Sequence, residues 1–202
     1  MKKIYLFPVL ILLSVLILGC PYKSKVAIDD YAKTKIEKNL IGVWIVKDTN
    51  NTDIKNPPYY IVKDRNGYMI DIEKYAFTDT NEYKEEITEL SADTAEYEAY
   101  EEEYTEPSGV FKVSETYEAF LSDIDGIKFL NVRQLDDFSE FGYYIYKLTF
   151  KGKNEFYLSP VTDYLKKNFV TSAELRNYIK KYKEIEFFFG IDEHYKRYEL
   201  PK

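Results

Sequence analysis

A single cysteine, a single histidine, a single tryptophan and only eight glycines stand in a chain of 202 residues. One cysteine excludes an intrachain disulfide, a CxxC redox pair and a thiolate zinc site built by one chain. One histidine, His194, removes most arrangements of nucleophile and base, and its setting beside Tyr195 and Lys196 reads as structural or solvent-facing. The chain also has no Gly-x-Ser-x-Gly elbow, no glycine loop for phosphate and no His-Glu-x-x-His pair. No catalytic residue, no metal and no cofactor is therefore expected, and the chain is read as a non-enzyme. Positive charge is short as well: 28 basic residues face 35 acidic ones, a net charge of −7, which disfavours nucleic acid as a partner.

Long apolar runs are absent except at the start. Lys2 and Lys3 precede an apolar stretch over residues 4–18 that contains Pro8 and Ser14, and Gly19 and Cys20 follow. Two positive charges, an apolar centre and a small residue make an export leader over residues 1–19. A retained spanning helix needs about 20 apolar residues, more than this run supplies. The stretch Ile17-Leu18-Gly19-Cys20 resembles the lipobox of bacterial lipoproteins. That resemblance implies cleavage before Cys20, acyl chains on Cys20 and a place in the cell envelope, held on a membrane surface by lipid; secretion with a free thiol is the alternative. Pro21 is not the aspartate associated with inner-membrane retention, so an outer membrane is favoured where the cell has one.

Loss of the leader takes 19 of 202 residues and leaves 183, enough for one domain, and removes two of the 28 basic residues, leaving −9. Residues 20–27 read as a tether, and residues 28–202 as a single domain. Ile28, Tyr31, Ala32, Ile36 and Leu40 follow a helical spacing that leads into it. The acidity is local. Residues 82–106 hold eleven carboxylates against Lys84, so this stretch alone carries −10. Tyr83, Ile87 and Leu90 at one spacing and Tyr97, Tyr100 and Tyr104 at another make it partly helical, and it reads as an exposed insertion or loop, with a binding arm as the alternative.

What the chain has in quantity is aromatic surface: 21 tyrosines and 13 phenylalanines. They concentrate in short, turn-bounded segments with the signature of strands, over residues 41–47, 59–64, 68–74, 116–122, 127–134, 143–150 and 155–158. Tyr144, Tyr146, Leu148 and Phe150 alternate with Ile145, Lys147 and Thr149, and Tyr68, Ile70 and Ile72 alternate with Met69, Asp71 and Glu73, as half-buried strands do. Asn66-Gly67, Asp125-Gly126 and Gly152-Lys153-Asn154 supply hairpin turns. The expected fold is mainly β: an antiparallel meander forming a barrel or a strongly curved sheet. Period 2 gives way near residue 160 to a helical segment over 162–184. Thr171 and Glu174 form a capping box, Val170 and Leu175 a hydrophobic staple, and Leu175, Tyr178, Ile179 and Tyr182 an apolar stripe that packs outside the sheet. Phe187-Phe188-Phe189-Gly190 reads as a buried join, and residues 194–200 as a short closing strand. Asp48-Thr49-Asn50-Asn51-Thr52-Asp53 and Asp123-Ile124-Asp125-Gly126 lack the full spacing of a calcium loop and read as a polar loop and a turn.

Leu40-Ile41-Gly42-Val43-Trp44, ahead of a meander, an outer helix and a last short strand, resembles the Gly-x-Trp opening of lipocalin barrels. The resemblance implies that Trp44 plugs the closed end and that an arginine late in the chain, for which Arg197 is the nearest candidate, stacks on it. It also implies a barrel interior able to hold a small apolar or amphipathic molecule, with Trp44, Tyr144, Tyr146 and Phe150 as candidate ligand-binding residues. A barrel of about eight strands either fills its middle or holds one small ligand, and an interior above about 300 Å³ favours the ligand. A filled interior favours the alternative, a surface protein that engages a protein partner through the acidic segment. Intact-mass analysis of native material tests the address: a chain starting at Cys20 with added acyl mass is expected, and an unmodified thiol or an uncleaved leader contradicts it.

Overall fold

The computed structural model describes residues 21–29, 33–47, 56–79, 109–135, 141–162 and 167–200. Nine strands occur among them: β1 (Lys23–Ser24), β2 (Gly42–Val46), β3 (Tyr59–Asp64), β4 (Met69–Asp79), β5 (Gly109–Ile124), β6 (Ile127–Gln134), β7 (Tyr143–Phe150), β8 (Glu155–Pro160) and β9 (Glu193–Arg197). Strands β2 to β8 pair with their sequence neighbours, all antiparallel, and β9 closes the ring by pairing with both β8 and β2. The result is a closed barrel of eight strands with one helix, α1 (Ser172–Tyr182), between β8 and β9. Closure leaves no long unpaired edge within the ring.

Alternation decides which side of each strand faces inward. Leu130 and Val132 of β6 and Leu148 of β7 join Trp44, Val62, Ile70 and Phe156 in the interior cluster. Their neighbours Phe129 and Ile145 face outward and are nevertheless buried, because α1 covers them with Leu175 and Ile179. The barrel wall thus has a core on each side here, which is why the β5 sequence Ala119-Phe120-Leu121-Ser122 is buried at every position. The β5–β6 hairpin turns on Asp125 and Gly126 at positive φ, with the Gly126 N–H donating to Asp123 Oδ1 at 2.9 Å, so this acidic motif is a turn.

Helix α1 starts where the capping box places it. Thr171 has extended φ and ψ, and its Oγ1 accepts from the Glu174 N–H at 3.3 Å. Glu174 Oε2 reaches one residue further back than the box requires, to the Val170 N–H at 3.2 Å. The hydrophobic staple is a different residue from the expected one: Val170 is 80% exposed, whereas Phe169 is buried with Leu175 and Ile179. Thr162 forms a bridge with Pro21, so the described helical residues are confined to Ser172–Tyr182. Arg176 pairs with Asp29 and donates to the Asp123 carbonyl at 2.6 Å, which ties the helix to the β5–β6 turn and to the N-terminal segment.

That segment is more than a tether. Lys23 and Ser24 pair with Tyr144 and Tyr143 of β7, and Ala27 and Ile28 are buried against the barrel wall. Asn131, fully buried on the outer side of β6, holds it there. Its Oδ1 accepts from the Ile28 N–H at 2.9 Å, and its Nδ2 donates to Ser122 Oγ at 3.0 Å and to the Phe120 carbonyl at 3.2 Å. Of the helix expected before β2, the described residues show only a single 3-10 turn, Lys38–Leu40; Tyr31 and Ala32 lie outside the described residues. Phe188 is buried in the join to β9 as expected, but Phe187 beside it is 74% exposed.

The longest strands, β4 and β5, stay paired beyond their other neighbours. A register shift at Lys74 and Tyr75 turns their ends into a two-stranded ribbon that runs to Asp79 and Gly109. Outside the barrel Tyr59 stacks on Tyr75 at 4.9 Å and meets the tilted ring of Phe111 at 5.1 Å, packing the ribbon against β3. The acidic residues 82–106 belong to the connection between its two strands and lie outside the described residues.

Asn131→Ala leaves the Ile28 N–H buried without an acceptor, so unfolding in urea is expected to show a loss of about 1–3 kcal/mol. An unchanged midpoint would mean that the N-terminal segment is not held by this side chain.

Candidate ligand cavity

Trp44 is fully buried at one end of the barrel. Its Nε1 donates to the Leu40 carbonyl at 2.9 Å, and Phe156 meets it edge-on at 4.6 Å. Arg197, its partner in the β2–β9 ladder, lays its guanidinium over the indole at 4.4 Å. The same guanidinium donates to the carbonyls of Ile41 at 3.0 Å and Asn39 at 2.9 Å, so the 3-10 turn, the indole and β9 share one cation. Such a contact contributes about 0.5–2 kcal/mol, toward the upper figure where the pair is desolvated. Gly42 is required here twice: its φ is +141°, and a Cβ would lie 2.1 Å from Arg197 Nη1.

Above the indole the interior is hollow. A cavity of about 200 Å³ is walled by Ile70 and Ile72 of β4, Leu130 and Val132 of β6, Phe156 and Leu158 of β8, and by Leu40, Trp44 and Val62. Its polar groups are four phenols, from Tyr60, Tyr117, Tyr146 and Tyr195, and the carboxylate of Glu193. Glu193 is solvent-exposed while Trp44 is not, so polarity rises from the stoppered end toward the mouth. Strand β9 alone spans this gradient, with Glu193, Tyr195 and Arg197 at alternate positions.

Two of the phenols give their protons to carboxylates. Tyr195 donates to Glu193 Oε2 at 2.7 Å, and Tyr117 donates to Glu115, which also pairs with Lys74 at 2.5 Å. Burial raises the pKa of Tyr60, Tyr117, Tyr146 and Tyr195, and the negative charge of Glu193 or Glu115 raises each further. For Tyr60 the cation of Lys74 opposes the shift. All four phenols are therefore neutral at physiological pH.

Of the four residues expected to bind a ligand, Trp44 and Tyr146 line the cavity. Tyr144 and Phe150 pack against the same interior cluster without lining it: Lys23 lies over the Tyr144 ring at 5.6 Å, and Phe150 meets Phe156 at 6.2 Å. Tyr60, Tyr117, Tyr195 and Glu193 escaped the sequence reading. Their only signal was period 2, which places Tyr60 with Val62 and Tyr117 with Ala119 and Leu121 on inward faces. His194 alternates with these residues and so faces away; it stacks on Tyr157 at 4.4 Å, with Nε2 3.1 Å from Glu155. Cys20 and the loop over residues 48–53 lie outside the described residues.

A second hollow lies on the outer wall. It is an open groove of about 860 Å³ between β7–β8 and residues 183–192, overlooked by Phe187 and Ile191, each 74% exposed. Among the described residues no group of three or more metal-ligating side chains converges. Comparison with protein-family models, with curated proteins and with solved structures gave no match.

The raised phenol pKa values fix a pH dependence. In the unfolded chain these tyrosines ionise near pH 10, while in the barrel they hold their protons to higher pH. Their contribution is complete below about pH 10 and is lost as pH climbs from there toward the folded values. Denaturation between pH 7 and 11 is expected to show level stability up to about pH 9 and a fall beyond it. Ionisation of every tyrosine near pH 10 in the folded chain, with no such fall, would contradict the burial of these four phenols.

Proposed function

We propose that this chain is a lipid-anchored, non-catalytic binding protein of the cell envelope whose barrel holds one small amphipathic molecule. The observation that carries this reading is the hollow above Trp44, apolar at depth and polar at its mouth. At about 200 Å³ it does not reach the roughly 300 Å³ expected of a ligand-holding interior, yet exceeds the roughly 150 Å³ of an engineered apolar cavity that takes up benzene. The ligand is accordingly a molecule somewhat larger than a single aromatic ring. Gly42, Trp44 and the stacked Arg197 support the lipocalin-like reading of the barrel. Arg197 comes from the strand after α1, so the order of parts is this chain's own. The leader and Cys20 support the anchor, and a membrane is the partner expected there.

A second reading, a surface protein that engages a protein partner, is favoured by the outer groove, where Phe187 and Ile191 present apolar surface to solvent.

Native mass spectrometry of protein purified from its own host, paired with displacement of a fluorescent apolar probe, separates the two. A bound small molecule or a displaceable probe is expected, and Val132→Phe, which fills the hollow, is expected to abolish either signal. A clean apo mass with no probe bound would overturn the cavity reading.

A further inference from the structure

We propose that the molecule held in the barrel is a cationic amphiphile, an amine with a small apolar body, recognised by Glu193 at the mouth. This rests on the cavity reading and names the ligand class within it.

The inference comes from counting donors and acceptors around the hollow. Tyr195 spends its proton on Glu193, and Tyr117 spends its proton on Glu115, so both phenol oxygens turn only lone pairs toward a guest. Glu193 lines the cavity and, as a carboxylate, can only accept. The nearby donor with a full positive charge, Lys74, is engaged by Glu115 at 2.5 Å. The phenols of Tyr60 and Tyr146 also line the hollow and can donate as well as accept, so charge is what discriminates: two carboxylates, Glu193 and Glu115, stand against one ammonium, Lys74. The complement of this mouth is a donor group with positive charge.

The walls agree with this assignment. Tyr60, Tyr195 and Phe156 form a continuous aromatic surface, with Tyr60 edge-on to Tyr195 at 5.7 Å and Phe156 stacked on Tyr195 at 4.8 Å. Ring faces attract a cation, whereas a carboxylate entering here would meet Glu193 and the same negative faces. Anionic amphiphiles are therefore disfavoured by the carboxylate of Glu193, which admits an amine. The remaining walls set the body: Ile70, Ile72, Leu130, Val132 and Leu158 have no side-chain polar atom to offer a second head group.

Three probes that share one apolar body test this: phenethylamine, phenethyl alcohol and phenylacetate, titrated calorimetrically into the mature protein at neutral pH and moderate salt. The amine is expected to bind at least about tenfold more tightly than the alcohol, the worth of one charge-assisted hydrogen bond, and phenylacetate is expected not to bind. Glu193→Gln, a change at an exposed position, is expected to bring the amine down to the affinity of the alcohol and to leave the alcohol unchanged. Binding of the alcohol or phenylacetate as tightly as the amine, or indifference of the amine to Glu193→Gln, overturns the cationic assignment while leaving the cavity reading intact. Failure of all three probes to bind, with the fold unperturbed by circular dichroism, overturns both.

Discussion

The guanidinium of Arg197 over the indole of Trp44 is the contact on which the remaining architecture depends. It joins the first strand of the ring to the last, across more than 150 residues of chain, and it does so where Gly42 leaves room for nothing larger than hydrogen. Closing a loop of that length costs chain entropy, which this contact offsets together with the ladders that β9 forms with β2 and β8. Arg197 meets this by serving three partners at once: the indole face and the carbonyls of Ile41 and Asn39. With β9 seated in this way, its alternation brings Tyr195 into the wall and Glu193 to the mouth. The stopper and the recognition end are therefore set by a single register.

The barrel is asymmetric in what covers it. On the side of β5, β6 and β7, α1 and the N-terminal segment bury the outer face, and Asn131 satisfies the polar groups that this burial isolates. On the opposite side the outer surface of β3 and β4 carries exposed ion pairs such as Lys63 with Glu73. Such pairs add little stability on their own. Buried contacts thus concentrate in the wall beneath the helix, while the ribbon of β4 and β5 extends past the ring with Val110 and Val113 exposed. Because β1 pairs with β7 and Pro21 forms a bridge with Thr162, the described chain is held against the barrel from Pro21 onward.

Much of this could be read from the residues. Alternation located the strands, and the boundaries of β6 and β7 agree with the expected ranges, because the Asp125-Gly126 and Gly152 turns delimit them. The capping box fixed the start of α1 to the residue. The staple was misplaced because Phe169 and Val170 are both apolar and sequence spacing alone cannot tell which side chain the turn aims inward. The strap formed by residues 21–29 was read as a tether because its anchor, Asn131, lies 103 residues from Ile28 and looks like any strand asparagine. The candidate site was half legible. Trp44 and Tyr146 announced themselves as aromatic and inward, whereas Glu193 lies in a short strand whose inward face becomes clear only once the ring is closed.

The most direct test of a hollow barrel is uptake of xenon followed by methyl nuclear magnetic resonance, since dry apolar cavities of this size accept the gas. Saturable shifts confined to the methyl groups of Ile70, Ile72, Leu130, Val132 and Leu158 are the expected result. Shifts spread evenly over the protein, or none at these residues, would mean that the interior is filled and that recognition takes place elsewhere.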